Sequence, residues 1–387
     1  MFNFLIFFRN FLFFKLNFFL GACLTIIFAF GSFLEYSDNI GFQNIPLSQD
    51  EVDYSLAFKK GFLNNYLERD TLSFKSFINL SLLKAQNKNK ELIEFSNLNI
   101  DEKDDLFILR HFHGVIPIYF WSLFNAEDPE VNQKNLRNSS LVLYFLFLIS
   151  FFVFFYYQSD KTKEISALTI FTLTAFFTSL PFFIVNLSLN FHIFFALFSL
   201  YFAYELVNFI ERGNNIFRLS FSISLMLATL ETSIVILGIA FLIMAISSST
   251  LYQGIINFIK VLCSSAMFLI LIWPGVYISG AIVKSWFMYV YRIFIAGNEE
   301  YAGSDKLDVV LNAIKDLEIF FFFVILILFL MLINKKRFKQ THLIPVFLGF
   351  GYLIFIVNFS LNITYLIPAF ALMVFGLVIS FESYKKD

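Results

Sequence analysis

"LSFSISLMLATLETSIVILGIAFLIMAIS", residues 219–247, is a run of 29 residues with Glu231 as its single charge. A helix of about 20 residues already crosses the roughly 30 Å hydrocarbon layer of a bilayer. The run is therefore too long for one crossing, and it is long enough for two short ones that turn at "ATLETS". The choice decides the fold, because it sets the side on which every later loop falls. Basic residues sit at Arg9 and Lys15, in "SDKTKE" (159–164), in "ERGNNIFR" (211–218), in "NKKRFKQ" (334–340) and in "YKKD" (384–387). Cytoplasmic loops carry the excess of Lys and Arg. A single crossing would put "NKKRFKQ" outside, whereas a pair of short helices turning at Glu231 returns every basic loop to the cytoplasm. The expectation is an all-α polytopic membrane protein with about ten transmembrane helices.

Composition agrees with that class. Of 387 residues 58% are hydrophobic and only 15% charged, too apolar for a solvated surface. The 59 phenylalanines, beside many Asn, Ile and Lys, read as the codon bias of an AT-rich genome and count here simply as apolar. A net charge of -1 gives no footprint for nucleic acid. Cys23 and Cys263 both lie in apolar runs, which argues against a disulfide framework. "LGAC" (20–23) has the look of a lipoprotein cleavage box, but the apolar run continues past it, so the first span is expected to stay as an uncleaved anchor.

The other expected spans are 16–34, 139–157, 165–183, 190–210, 261–280, 317–333, 343–359 and 365–381. They leave two hydrophilic segments on the outer side, a large first loop at 35–138 and a smaller one at 281–316. "FINLSLLKAQ" and "KELIEFSNLNI" in the large loop read as helices lying on the membrane surface. No internal repeat is visible, and residues 1–387 read as a single transmembrane domain.

Just past the first span stands "SQDEVDYSLAFKKGF" (48–62), three carboxylates followed by two lysines. Taken alone, it fits a solvated helix with carboxylates at its N-terminus and lysines later, as the helix dipole favours, and it equally fits a catalytic cluster. The segment resembles the acidic "D-E-x-x-Y" motif in the first outer loop of the GT-C glycosyltransferases, the superfamily of protein O-mannosyltransferases and aminoarabinose transferases. Asp50 and Glu51 match its acidic pair, Tyr54 its aromatic residue and Lys59 its basic position. "RHFHGVIPIYFWSLF" (110–124), with Arg110, His113 and Tyr119, resembles the family's "H-P-P-L-Y-Y-W" stretch, and "NLRNSSLVLYFLF" its Arg-containing approach to the second span. "LATLETSIVILG" sits where the family has a broken helix pair, and "NITYLIPAFALMV" resembles its final "R-Y-L-L-P" span. The chain departs from the pattern at "HGVIP", which lacks paired prolines, at Glu231, where a basic turn residue is usual, and at Asn362 or Thr364, where a cation is common.

The resemblance implies transfer of a sugar from a polyprenyl-phosphate donor to an acceptor lipid, glycan or protein at the periplasmic face of the inner membrane. That chemistry needs a base for the acceptor's proton and cations for the departing phosphate. Asp50 is the expected base. Glu51 would orient the acceptor or hold a divalent cation such as Mg or Mn. Lys59 and His113 would hold the phosphate, with Arg110 and Arg292 as further outer-side cations; snorkelling to lipid headgroups is their other reading. Asn190 and His192 open the fourth span and either line the cavity or bond within the bundle. Glu231 is either functional, by the cost of a charge in the membrane, or a cap at a solvated turn. No nucleotide or zinc motif is present. Two other functions fit a polytopic chain, an envelope lipid or glycan transporter or flippase and a polymerase or ligase of envelope glycans; a non-catalytic relative of the GT-C enzymes is a further alternative.

Overall fold

The computed structural model describes residues 14–59, 61–67, 113–159, 161–179, 182–183, 186–213, 215–280, 283, 324–325, 340–357 and 363–383, and within these not every side chain. The two surface helices expected in 68–112, the span expected at 317–333 apart from two residues, and nearly all of the second outer loop lie outside the described residues. Among the described residues four helices are long and apolar enough to cross a membrane, Phe18–Asn39, Pro129–Gln158, Phe191–Arg212 and Leu251–Ile272, and five shorter apolar helices accompany them. The described residues are all-α but for one pair of three-residue strands. The chain divides into two compact units, each discontinuous in sequence.

The first unit comprises residues 1–43, 140–214 and 304–387. Strand β1 (Lys15–Asn17) pairs antiparallel with β2 (Glu164–Ser166), Lys15 opposite Ser166. Lys15 also bridges Glu164 at 3.3 Å, so two of the basic segments lie side by side. Helix α1 (Phe18–Asn39) starts at Asn17, whose side chain accepts from the Phe19 N–H. It packs on α6 (Ala167–Phe177), where Ile165 and Ile170 fill the space that a side chain at Gly21 would take. Helix α7 (Phe191–Arg212) is capped by Asn190 and ends at Gly213 in the left-handed conformation. Helices α12 (Ile344–Val357) and α13 (Ile367–Ser383) approach closely through Gly349 against Ala369 and Gly376 against Val346, the small-residue contact that membrane helices use in place of a hydrophobic drive. Glu382 accepts from the backbone and hydroxyl of Ser166 and from Thr169, which ties the end of α13 to the start of α6.

The second unit comprises residues 44–139 and 215–303. Its helices are α2 (Gln49–Lys59), α3 (Phe62–Leu67), α4 (Ile116–Ser122), the start of α5 (Pro129–Gln158), α8 (Ile216–Leu227), α9 (Ser233–Ser247), α10 (Leu251–Ile272) and α11 (Gly275–Ser279). The long apolar run is split as its length required, into α8 and α9 with a turn at 228–232. Helices α8 and α10 are joined by small polar residues, the Ser220 hydroxyl donating to the Val261 carbonyl and the Ser224 hydroxyl to that of Ser265. Helix α5 begins ten residues before the expected span because Asp128 accepts from the N–H groups of Glu130 and Val131, with Pro129 at the first helical position. Helix α10 likewise starts at Leu251, ten residues ahead of the expected 261. There Gln253 donates to Asn257 along an exposed face, so the helix continues through a polar stretch and Lys260 stands on its surface.

Candidate functional site

At "SQDE" the backbone turns into α2 through a reciprocal cap. The Ser48 N–H donates to Glu51 Oε2 at 2.7 Å and the Glu51 N–H to Ser48 Oγ at 3.4 Å. This is the S-x-x-E capping box, which satisfies two orphan donors at a helix start. Glu51 then meets Arg137 of α5 in a two-pronged pair, Nη1 to Oε1 at 2.6 Å and Nη2 to Oε2 at 2.9 Å. Arg137 also donates to the carbonyls of Ile45 and Pro46. Both side chains of the pair are about 95% buried. With both oxygens of Glu51 engaged by a guanidinium, its carboxylate does not fit the role of a metal ligand. Among the described residues no group of three or more His, Cys, Asp or Glu gathers as a metal site.

Helix α2 carries Asp50 next to Glu51, though the Asp50 side chain lies outside the described residues. Tyr54 is buried and stacks on Trp121 of α4, ring centroids 5.4 Å apart and 20° from parallel. Lys59 stands exposed in the last turn of α2. Beyond it Gly61, at φ 84°, reverses the chain into α3, and the Asn65 amide donates back to the carbonyls of Ala57 and Gly61. The acidic motif is thereby held at both ends.

The stretch 113–116 docks on the turn of the split helix. The Gly114 N–H donates to the Thr229 carbonyl and the Ile116 N–H to that of Ala228, both at 3.0 Å, with His113 and Leu230 as antiparallel bridge partners. At 1.5 Å per residue, α8 and α9 span only about 18 and 22 Å, short of a full hydrocarbon layer. The non-helical backbone at 228–232 between them is buried, so its carbonyls need hydrogen-bond partners from the protein. Residues 113–116 supply them. The approach requires glycine, since a Cβ on Gly114 would lie 2.0 Å from the backbone of Ala228.

The same bridge sets His113 Nδ1 at 2.8 Å from Glu231 Oε2, both side chains almost fully buried. Below it Val115, Ala228, Leu269, Trp273 and Val276 form an apolar cluster with Tyr119 packed against it. The Tyr119 hydroxyl reaches the Ile272 carbonyl at 3.4 Å and the Tyr66 hydroxyl that of Leu271 at 3.0 Å, so α4 and α3 cap the last carbonyls of α10.

Three stretches singled out in the sequence, 48–62, 113–122 and 228–233, are thus held in one unit with Arg137 as a fourth contributor. Arg137 was not among the expected residues, although the Arg-containing approach to the second span was its signal. Glu231 is not a solvated cap; it is buried against His113. Arg110 and Arg292 lie outside the described residues. Asn190 and His192 belong to the first unit, where Asn190 Oδ1 caps α7 and lies 2.8 Å from His192 Nδ1, and the His192 ring meets Tyr365 edge-on. In comparisons with known proteins, no family model, no curated protein and no solved structure matches the chain.

Proposed function

We propose that this chain is a GT-C-like membrane glycosyltransferase that moves a sugar from a polyprenyl phosphate to an acceptor at the outer face of the membrane. The observation that supports the reading is the meeting of the acidic-motif helix, the end of the same outer loop and the broken helix pair within one compact unit. In the proposed step Asp50 takes the acceptor's proton, the acceptor oxygen or nitrogen attacks the anomeric carbon, and the bond to the phosphate oxygen breaks with its electron pair leaving on the phosphate. Lys59 and His113 hold the departing phosphate. Glu51, locked to Arg137, positions α2 and with it Asp50.

Asp50→Asn tests this reading. The amide is nearly isosteric and cannot take a proton, so the purified protein should keep its melting temperature while sugar transfer falls by about 100-fold or more. Transfer within a few-fold of wild type would sink the assignment. The buried His113–Glu231 pair beside a broken helix also suits a transporter, in which ionisable groups inside the membrane mark a transport path. Such a protein would move the lipid across vesicles without consuming the donor.

The ten-span arrangement, with the 35–138 loop in the periplasm of a cell with an inner membrane, belongs to the same proposal. In the first unit the ends of α1, α6, α7 and α13 that meet through Lys15, Ser166, Thr341 and Glu382 are those next to the basic loops. In a background lacking Cys23 and Cys263, a cysteine at the exposed Leu123 should react with an impermeant maleimide added outside intact spheroplasts, and one at Lys163 only after lysis. Labelling of Lys163→Cys from outside would refute the orientation.

A further inference from the structure

The turn between α8 and α9 holds more polar chemistry than its packing uses. Glu231 gives Oε2 to His113, yet its Oε1 is buried with no hydrogen-bond partner among the described residues. The hydroxyl of Ser233, fully buried two residues on, is in the same condition. Glu51 and Glu382, equally buried, are by contrast surrounded by donors: Arg137 and Ser48 for the one, Ser166 and Thr169 for the other. A buried polar group left without a partner is strongly disfavoured, and where one persists a missing ligand group is among the standard explanations.

The missing group can be characterised chemically. An ionised carboxylate only accepts, so Oε1 calls for a donor, and the Ser233 hydroxyl can either give or take. A phosphate oxygen beside Oε1 would be repelled. A hydroxyl, which donates to Glu231 and can also engage Ser233, suits both. Ala228 of the turn belongs to the apolar cluster with Val115 and Trp273, so water competes poorly for such a bond.

Resting on the glycosyl-transfer reading, we infer that Glu231 is a specificity-determining residue for the transferred sugar: its Oε1 accepts a hydrogen bond from a sugar hydroxyl, with Ser233 Oγ as the neighbouring contact. His113 Nδ1, 2.8 Å from Oε2, fixes the orientation of the carboxylate. A site built to bond a hydroxyl rejects an analogue that lacks it far more sharply than an apolar pocket sorts ligands by size.

The test uses the full chain in nanodiscs and four probes, decaprenyl phosphate alone and decaprenyl phosphate carrying mannose, glucose or arabinose, with binding read from the shift in melting temperature against lipid concentration. Wild type should bind at least one of the sugar-bearing lipids about tenfold or more tightly than the bare lipid. E231Q keeps an oxygen for His113 and should lose that preference, the ratio of sugar-bearing to bare lipid affinity falling towards one. Should E231Q fail to fold, S233A carries the test, with the preference reduced several-fold. Equal weakening of bare and sugar-bearing lipids would make Glu231 a structural residue and overturn the inference, as would a wild type with no sugar preference. Failure of wild type to bind any of the four lipids would instead defeat the glycosyl-transfer reading itself, and the inference with it.

Discussion

Arg137→Met should destabilise the protein by about 3–5 kcal/mol, the cost of leaving a buried carboxylate without its partner. The guanidinium makes four contacts at once, two to Glu51 and one each to the carbonyls of Ile45 and Pro46. Methionine fills part of the volume and satisfies none of them. The decisive comparison is with Glu51→Leu/Arg137→Met. Replacing both members of a buried pair by apolar groups of similar size is often neutral or even stabilising, so the double variant should recover most of the loss, less the carbonyl contacts and the capping box. Thermal unfolding of the single and double variants in the same detergent measures this. A double variant as unstable as Arg137→Met would mean that the carbonyl contacts, and not the charge pair, hold the segment.

The second large effect is expected at Gly114. A methyl group there would sit 2.0 Å from the carbonyl carbon and oxygen of Ala228 and 2.5 Å from the Thr229 nitrogen, all backbone atoms that cannot swing aside. Gly114→Ala must therefore separate the two strands of the bridge. Two backbone hydrogen bonds are lost at a site shielded from water, at about 1–3 kcal/mol for each group left unsatisfied, and the His113–Glu231 pair goes with them. The control is Gly238→Ala on α9, where a Cβ meets nothing within 4 Å and helix propensity favours alanine. Gly114→Ala should lower the melting temperature by many degrees while Gly238→Ala leaves it unchanged or raises it. Equal behaviour would show that 113–116 does not dock on the turn.

How much of this was legible depended on sequence distance. The split of residues 219–247 could be read because length and one charge are local properties. The "SQDE" cap was not singled out in the sequence, although its S-x-x-E spacing is local and carries its own mechanism. The partner of Glu51 could not be read, because Arg137 lies 86 residues away and no periodicity links them. The same holds for His113 and Glu231, 118 residues apart, whose meeting depends on a short backbone bridge between two non-helical stretches. Glu231 therefore read equally well as a functional charge or a solvated cap. The starts of α5 and α10 were missed for the opposite reason: hydropathy marks the apolar part of a helix, while capping and exposed polar faces decide where the backbone begins to coil.

The bridge between residues 113–116 and 228–230 also bears on the order in which a growing chain can assemble. The lock between Glu51 and Arg137 has both halves as soon as residue 137 has been made. Trp121 can stack on Tyr54 equally early, but the backbone of residues 113–116 waits longer for the partners it has in the fold, since Thr229 and Glu231 follow the whole stretch 140–214, which belongs to the other unit. Until α8 and α9 have been made, the N–H groups of Gly114 and Ile116 lack the carbonyls of Thr229 and Ala228 and must bond elsewhere. The broken helix is thus both a late piece of the fold and the part that gives an earlier piece its place, so the settling of residues 113–116 has to wait on translation of the second half of the chain.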